Sequence, residues 1–160
     1  MTMQIRTLRT SVTIAAIFVM SMMWSSSAFA GGVGLSLVRA SLTNVDDAAG
    51  RWQHEGGRIL KGATVVGRYA IHRRVTFGGT DAQNTAMTTV TLFFSGTPPQ
   101  NVTLQGAHAF STGRFAGGVS ASSNRYAWIH GADAVIAPTA VIGTSTLTLQ
   151  WTGANQLTLP

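Results

Sequence analysis

Apolar and polar residues alternate along most of the chain beyond residue 30. In the longest alternating segment, residues 63–77, every second residue falls on one side, from Val65 through Ile71 to Phe77. A period of two residues is typical of a β-strand with one buried face. A straight strand of this length would span about 50 Å, which is too long for a small domain. We therefore expect the strand to bend, and Gly67 is the expected position.

A second alternating region, residues 100–121, predicts a hairpin. Val102, Leu104 and Phe110 fall on one side of its first half, and alternation resumes at Phe115. Between the two halves lies Ser-Thr-Gly at residues 111–113, which offers hydroxyls for local hydrogen bonds and a glycine for a tight turn. Two strands joined in this way form an antiparallel pair.

The same rhythm predicts further strands at residues 35–40, 51–60, 86–94, 125–129, 147–151 and 156–159. Residues 43–50 are rich in turn formers and predict a connection with one short helical turn, and residues 131–143 predict a covering loop or an irregular strand. Eight or nine strands without a helix predict an all-β fold, an antiparallel eight-stranded barrel, with a β-sandwich as the alternative. A membrane-spanning barrel would show paired aromatic girdles, which this chain lacks.

The first thirty residues have the three parts of an export signal. Arg6 and Arg9 precede an uncharged apolar run at 12–23, and Ala-Phe-Ala at 28–30 provides a small-residue cleavage site. The apolar run is shorter than the roughly 20 residues that a spanning helix needs. We therefore expect a signal peptide at 1–30, a single barrel domain at 31–160, and a bacterial protein of the periplasm or the medium without a membrane span after cleavage.

The chain contains no cysteine. This excludes a disulfide scaffold, a thiolate metal site, a cysteine nucleophile and a lipoprotein anchor. Stability must come from the core, which is feasible because a domain of this size buries about two-thirds of its unfolded surface. Without Arg6 and Arg9, nine basic residues face five acidic ones, but no run of Lys and Arg occurs. We therefore expect no nucleic-acid partner.

Sequence motifs of known chemistry are missing. There is no glycine-rich phosphate loop, no His-Glu-x-x-His and no Gly-x-Ser-x-Gly. We predict no catalytic residue and no cofactor. The four histidines, at 54, 72, 108 and 130, show no ligand spacing, so no metal site is predicted. His54 and Glu55 are not a predicted pair, since neighbours on a strand face opposite sides.

A few polar residues fall on apolar strand faces. His108 shares the side of Leu104, where it either bonds a backbone carbonyl in the core or lines the mouth of a cavity. Arg73 lies on the Ile71 side and needs a partner or water there. Large rings with a polar atom suit a ligand pocket and an ordinary core equally well. The candidate cavity-lining residues are Tyr69, Arg73, His108, Trp128 and His130.

Three short stretches carry a resemblance to a known family. They are Thr-Leu-Gln-Gly at 103–106, Gly-Arg-Phe-Ala-Gly-Gly-Val at 113–119 and Leu-Thr-Leu-Gln-Trp at 147–151. This region resembles the late barrel of the allene oxide cyclase-like and dirigent-like superfamily. The resemblance implies an eight-stranded antiparallel barrel with an apolar cavity, often assembled as a homotrimer. None of the five acidic residues after position 30 falls in a matching motif, so the resemblance supplies no catalytic set.

Three hypotheses about function follow. The first is an exported, non-enzymatic barrel that binds a small apolar or amphipathic ligand or a partner protein. The second is an enzyme of the cyclase or isomerase type, which an ordered charged pair with perturbed titration inside a cavity would favour. The third is a surface or matrix structural subunit, which a large exposed apolar patch or a long unpaired strand edge would favour.

Overall fold

The computed structural model describes residues 31–47, 50–76 and 83–160, and the predicted signal peptide lies outside them. The described part contains eight strands, and a 3₁₀ segment, Asn124–Ile129, lies between the sixth and the seventh. The strands are β1 (Gly31–Asp47), β2 (Gly50–Lys61), β3 (Thr64–Thr76), β4 (Thr85–Phe94), β5 (Gln100–Ala109), β6 (Arg114–Ser122), β7 (Asp133–Pro138) and β8 (Thr144–Trp151). Each strand pairs antiparallel with the next, and β8 pairs with β1. The predicted eight-stranded antiparallel barrel is therefore confirmed.

The predicted alternation decides which side chains form the core. On β4, Val90, Leu92 and Phe94 are buried, whereas Phe93 between them is 44% exposed on the outer wall. The predicted hairpin of β5 and β6 is present, with His108 opposite Phe115. Burying one large apolar side chain contributes about 1.5–3 kcal/mol relative to leaving it in water, so the inward residues of all eight strands supply the main stabilising term. No helix in the described ranges has the length and apolar character that crossing a membrane would require.

Residues 43–47 form the end of β1, and the prediction of a connection there was wrong. Beyond Val38, β1 leaves β8 and continues with β2 alone, as far as the pair of Asp47 with Gly50. The Arg51 Nε donates a hydrogen bond to the Asp46 carboxylate at 2.7 Å across this extension. Ladder pairing with β2 thus overrides the turn preference of these polar residues.

Two irregularities bend the long strands. The β1–β2 register shifts between Arg39 and Ser41, and the β2–β3 register shifts between Ile59 and Leu60. The second shift lies next to Gly67, where the bend was predicted. A Cβ at Gly67 would collide with the carbonyl oxygen of Phe93, so the close approach of β4 requires glycine there. An extra residue in one strand increases the local twist and helps the sheet to close.

Residues 125–129 form the 3₁₀ segment, and the strand predicted there was wrong. Tyr126 and Ile129 are buried. The segment is not one regular 3₁₀ helix, because its backbone is kinked at Tyr126, and both side chains pack into the core at this end of the barrel. The Tyr126 hydroxyl donates to the carbonyl of Thr158 at 3.0 Å. The tail that follows β8 therefore packs under the segment, and residues 156–159, predicted as a strand, form no strand.

The two ends of the barrel differ. The closed end is the one covered by the 3₁₀ segment and the tail, residues 152–160; there Phe94 contacts Tyr126 edge to face, and Leu157 is buried. The open end is the opposite one, where β5 turns into β6 and where residues 139–143 connect β7 to β8. Because the strands run up and down, inward residues near the end of β3 and the start of β4 belong to the open end.

Candidate functional site

Several polar side chains occupy inward positions near the open end, and four of them form the polar cluster described here. β2 contributes Gln53 and Glu55, β3 contributes Arg73, and β5 contributes His108. All four share the alternation of buried residues on their own strands, as Glu55 does with Ile59 and His108 with Leu104. The barrel therefore carries its apolar side chains towards one end and a polar cluster towards the other.

Arg73 and Glu55 form the centre of this polar cluster. The Arg73 Nη1 donates to Glu55 Oε2 at 2.9 Å and to Gln53 Oε1 at 2.8 Å. The Tyr69 hydroxyl donates to Glu55 Oε1 at 2.9 Å, so both carboxylate oxygens have a partner. The Arg73 and Glu55 side chains are only 8% and 13% exposed. Arg73 thus has the partner that its position required, and the pair is largely removed from water.

The cluster has unusual protonation equilibria. The pKa of His108 is lowered to about 4, mainly by burial and also by the charge of Arg73, against the opposing effect of Glu55. His108 is therefore a neutral imidazole at pH 7. Burial raises the pKa of Tyr69, and the Glu55 carboxylate raises it further through its charge and its hydrogen bond. Tyr69 therefore remains a protonated hydrogen-bond donor.

Two nitrogens of the cluster have unsatisfied hydrogen-bonding capacity. In the described ranges, Arg73 Nε and His108 Nδ1 are buried and have no hydrogen-bond partner. A buried polar group without a partner costs about 1–3 kcal/mol. The Arg73 Nε–H is a permanent donor, whereas the neutral His108 Nδ1 is a donor or an acceptor according to its tautomer. An acceptor group brought to Arg73 would relieve part of this cost.

Both residues line a cavity of about 300 Å³ at the open end, here called the mouth cavity. Four of its lining residues are the polar cluster Gln53, Glu55, Arg73 and His108, and four are apolar side chains, Leu42, Phe110, Val141 and Ile142. Arg39 also lines it and is exposed. Val141 and Ile142 are 66% and 94% exposed. A concave apolar site with a few convergent polar groups is typical of small-molecule binding.

Two other depressions are larger, but the charged side chains in their walls are exposed. One, of about 590 Å³, lies between the start of β1 and the tail, and another, of about 470 Å³, lies on the outer wall near Arg58 and Arg68. Their basic residues, Lys61 in the first and the two arginines in the second, are exposed. Of these three depressions, the mouth cavity is the one with a largely buried charged pair in its wall, so it is the candidate site.

The five candidate residues are divided between the two ends. Arg73 and His108 line the mouth cavity, as one of the two alternatives for His108 predicted. Tyr69 does not line it, but its hydroxyl donates to Glu55, which does. Trp128 lies at the closed end, edge to face with Trp151 at 5.3 Å between ring centroids. His130 is exposed just beyond the 3₁₀ segment, with its Nε2 3.0 Å from the carbonyl oxygen of Ser120. Neither Trp128 nor His130 lines the mouth cavity.

Glu55 and Gln53 are site residues that the sequence reasoning missed. Both share the parity of the buried Ile59 on β2, and this alternation was the available signal. Gly56 and Gly57 weaken this signal, because a glycine has no side chain to show whether its position is apolar or polar. No pattern in the sequence indicated that Val141 and Ile142 form an apolar rim, because apolar and polar residues do not alternate regularly over residues 139–143.

Comparisons with known proteins bear on the fold alone. No family model matches the chain. No curated protein sequence matches it either. The chain is similar to a solved structure, pyocyanin demethylase, with a TM-score of 0.60 and 9% identity over 74% of this chain and 98% of that chain. At this identity the likeness shows a shared barrel architecture.

Proposed function

We propose that this chain is an exported barrel that binds a small, mainly apolar molecule in the mouth cavity and recognises one polar group of that molecule. The observation that carries the proposal is the pair of buried, unpartnered nitrogens, Arg73 Nε and His108 Nδ1, on residues that line a cavity with an apolar rim. A ligand that places an acceptor oxygen against Arg73 would satisfy a donor that the fold itself leaves unpaired.

Charge balance limits the class of ligand. The positive charge of Arg73 is already offset by Glu55, and His108 is neutral at pH 7 because of its lowered pKa. The buried part of the wall therefore carries little net charge and has at least one donor to offer, and the exposed Arg39, which also lines the cavity, adds one positive charge. A carbonyl, ether or hydroxyl oxygen on an apolar body suits such a wall, whereas the single charge of Arg39 would not balance a multiply charged anion.

The size of the cavity also restricts the ligand. A volume of about 300 Å³ is at the lower end of the range for small-molecule sites. The exposed rim residues Val141 and Ile142 extend the apolar surface beyond the cavity, so part of a longer ligand could rest on them. We therefore expect a compact amphipathic molecule with its polar end inward.

Native mass spectrometry of the protein purified from its own host tests this proposal. We expect a small organic mass that co-purifies with the wild-type chain. Ser145 is half-buried and lines the mouth cavity, whereas its neighbour Thr146 is exposed on the outer wall. The variant Ser145→Trp should fill the cavity and lose the mass, and the matched variant Thr146→Trp should keep it. Equal retention by the two variants would refute binding at the mouth.

A second candidate function is acid–base catalysis of the cyclase or isomerase type. The specific observation in its favour is that the buried Glu55 carboxylate accepts hydrogen bonds from Tyr69 and Arg73 beside a neutral imidazole. Glu55 lines the cavity and could accept a proton from a bound substrate, while Tyr69, which does not line the cavity, would hold the carboxylate in place. A similar barrel in pyocyanin demethylase, an enzyme by its name, makes the fold compatible with catalysis.

Turnover of the co-purified molecule distinguishes the two candidates. If the chain is an enzyme, incubation of the purified molecule with fresh protein should convert it to a product, and Glu55→Gln should stop conversion while the bound mass remains. If the chain only binds, the molecule should stay unchanged with the wild-type protein. The third hypothesis, a structural subunit, predicts that no small mass is bound at all.

The exported location is also a proposal, based on the first thirty residues. Cleavage after Ala30 would leave Gly31 as the first residue, and Gly31 begins β1 opposite Trp151. The cut would therefore leave the barrel complete. N-terminal sequencing of the protein from periplasm or culture medium should begin at Gly31, and finding an intact Met1 on the recovered protein would argue against processing.

A further inference from the structure

Two histidines meet on the outer wall of the barrel, away from the mouth cavity. His54 on β2 and His72 on β3 are direct cross-strand partners. Their Nδ1 atoms are 2.7 Å apart, a hydrogen bond in which one ring donates and the other accepts according to tautomer, and a metal ion would replace its proton. Their rings meet edge to face with centroids 4.8 Å apart. The two nitrogens that approach each other are atoms that can each offer a lone pair once the other ring nitrogen holds the proton.

The backbone holds this pair in place. β2 is paired on both sides, with β1 and β3, and β3 is paired with β2 and β4. Thr43 lies opposite His54 and Thr89 lies opposite His72, so the histidines are the middle pair of a row across four strands. A site on paired strands is more rigid than one on a loop, and little reorganisation is needed to bring both imidazoles to one ion.

The spacing of the two nitrogens favours one coordination geometry. With metal–nitrogen bonds of about 2.0–2.1 Å, adjacent corners of a square plane are about 2.9 Å apart and corners of a tetrahedron about 3.3 Å. The observed 2.7 Å is closer to the square-planar value. Square-planar or tetragonal nitrogen sites select Cu²⁺ or Ni²⁺, and Cu²⁺ binds most tightly in the divalent series.

We propose that His54 and His72 form an exposed two-nitrogen site for one Cu²⁺ ion, with water in the remaining positions. In the described ranges no group of three or more His, Cys, Asp and Glu side chains converges, so solvent must complete the coordination. The nearby Arg74, which stacks on the Trp52 ring at 5.5 Å, adds positive charge and should reduce the affinity. The site therefore differs from a closed structural metal centre.

Titration of the tag-free purified protein with CuCl₂ tests this site. We expect one strongly bound ion per chain, an electron paramagnetic resonance spectrum with hyperfine splitting from two nitrogens, and quenching of Trp52 fluorescence. Removing one of two ligands should weaken binding at least about tenfold, as even outer-shell changes cost 10–100-fold. We therefore expect this loss in both His54→Gln and His72→Gln.

The control is His130→Gln, which removes another exposed histidine and should leave the affinity for Cu²⁺ unchanged. ZnCl₂ should bind more weakly than CuCl₂ to the wild-type chain. Circular dichroism checks that each variant is folded. Wild-type affinity for Cu²⁺ in both His54→Gln and His72→Gln, or a spectrum with no nitrogen splitting in the wild type, would overturn the proposal.

Discussion

Every second residue points inward at both the closed end and the open end of the barrel, but the inward side chains differ in polarity between the two ends. At the closed end the inward residues are apolar, and Phe94, Tyr126 and Leu157 are buried against one another or the core. At the open end Glu55, Arg73 and His108 hold the corresponding positions around a cavity. The two ends therefore differ in the chemistry of their inward side chains, which are apolar at the closed end and include a charged pair at the open end.

This difference separates what stabilises the fold from what serves a ligand. Apolar burial at the closed end contributes to stability directly. A buried ion pair such as Arg73 with Glu55 roughly breaks even against apolar residues of similar size. Unpartnered buried nitrogens cost about 1–3 kcal/mol each. The polar cluster is therefore poorly explained by stability and better explained by binding, which is the basis of the proposed function.

The largest expected loss of stability comes from the closed end. Phe94→Ala removes a buried ring that contacts Tyr126, and we expect a loss of about 3–5 kcal/mol in the free energy of unfolding. The adjacent Phe93, 44% exposed, is the matched control, and Phe93→Ala should cost about 1 kcal/mol or less. Urea denaturation measures both values. Similar losses in the two variants would mean that the closed end is not the core described here.

At the open end, Arg73→Met should be costly because it leaves the Glu55 carboxylate buried without its cation. We expect a loss of about 3 kcal/mol, the lower part of the range for breaking a buried pair, since the cavity admits water. Arg74→Met is the matched control on the outer wall and should cost about 1 kcal/mol or less, because it loses the stacking on Trp52.

The double variant Glu55→Gln with Arg73→Met sharpens this result. Gln at position 55 keeps an acceptor for the Tyr69 hydroxyl and removes the unpaired charge. We therefore expect the double variant to unfold at a higher urea concentration than Arg73→Met alone. A double variant that is less stable than Arg73→Met alone would show that the ion pair stabilises the barrel. This result would contradict the assignment of stability to the closed end and of binding to the open end.

The pH dependence of stability tests the burial of His108. The folded chain binds no proton at His108 above pH about 4, whereas an unfolded histidine takes one up below pH about 6.5. Above pH 6.5 His108 contributes nothing to the pH dependence, and below it acid favours the unfolded state. Between pH 6.5 and 4 the wild type should lose about 3 kcal/mol more than His108→Gln. Parallel urea midpoints for the two proteins across this range would contradict a buried neutral imidazole.

The smallest effect on stability is expected at the rim of the mouth cavity. Ile142 is 94% exposed, so Ile142→Ser should change the free energy of unfolding by no more than about 0.5 kcal/mol. It should nevertheless reduce the bound small mass seen by native mass spectrometry, since the rim is apolar. Met87→Ser, at an exposed position on the outer wall, is the control and should leave the mass unchanged.

Much of the fold could be predicted because the period of two residues is strong in β3, β4, β5 and β8. The predictions for residues 43–47 and 125–129 failed because distant parts of the chain decide their conformation. Residues 43–47 are polar but form a strand because they pair with β2, and residues 125–129 are apolar but form a 3₁₀ segment because they cover the closed end. Neither constraint is visible in the local sequence. For the site, Arg73 and His108 were visible as polar residues on apolar faces. Their contacts with Glu55 and the cavity depend on register and on how far each strand extends.

The central claim is that the open end binds and the closed end stabilises, and native mass spectrometry of two variants from the native host tests it most directly. Phe94→Ala should keep the co-purified mass despite its lower stability. The double variant Glu55→Gln with Arg73→Met, which removes both charges of the ion pair, should lose that mass while remaining folded. If the double variant keeps the mass and Phe94→Ala, still folded, loses it, the assignment of the two ends is contradicted.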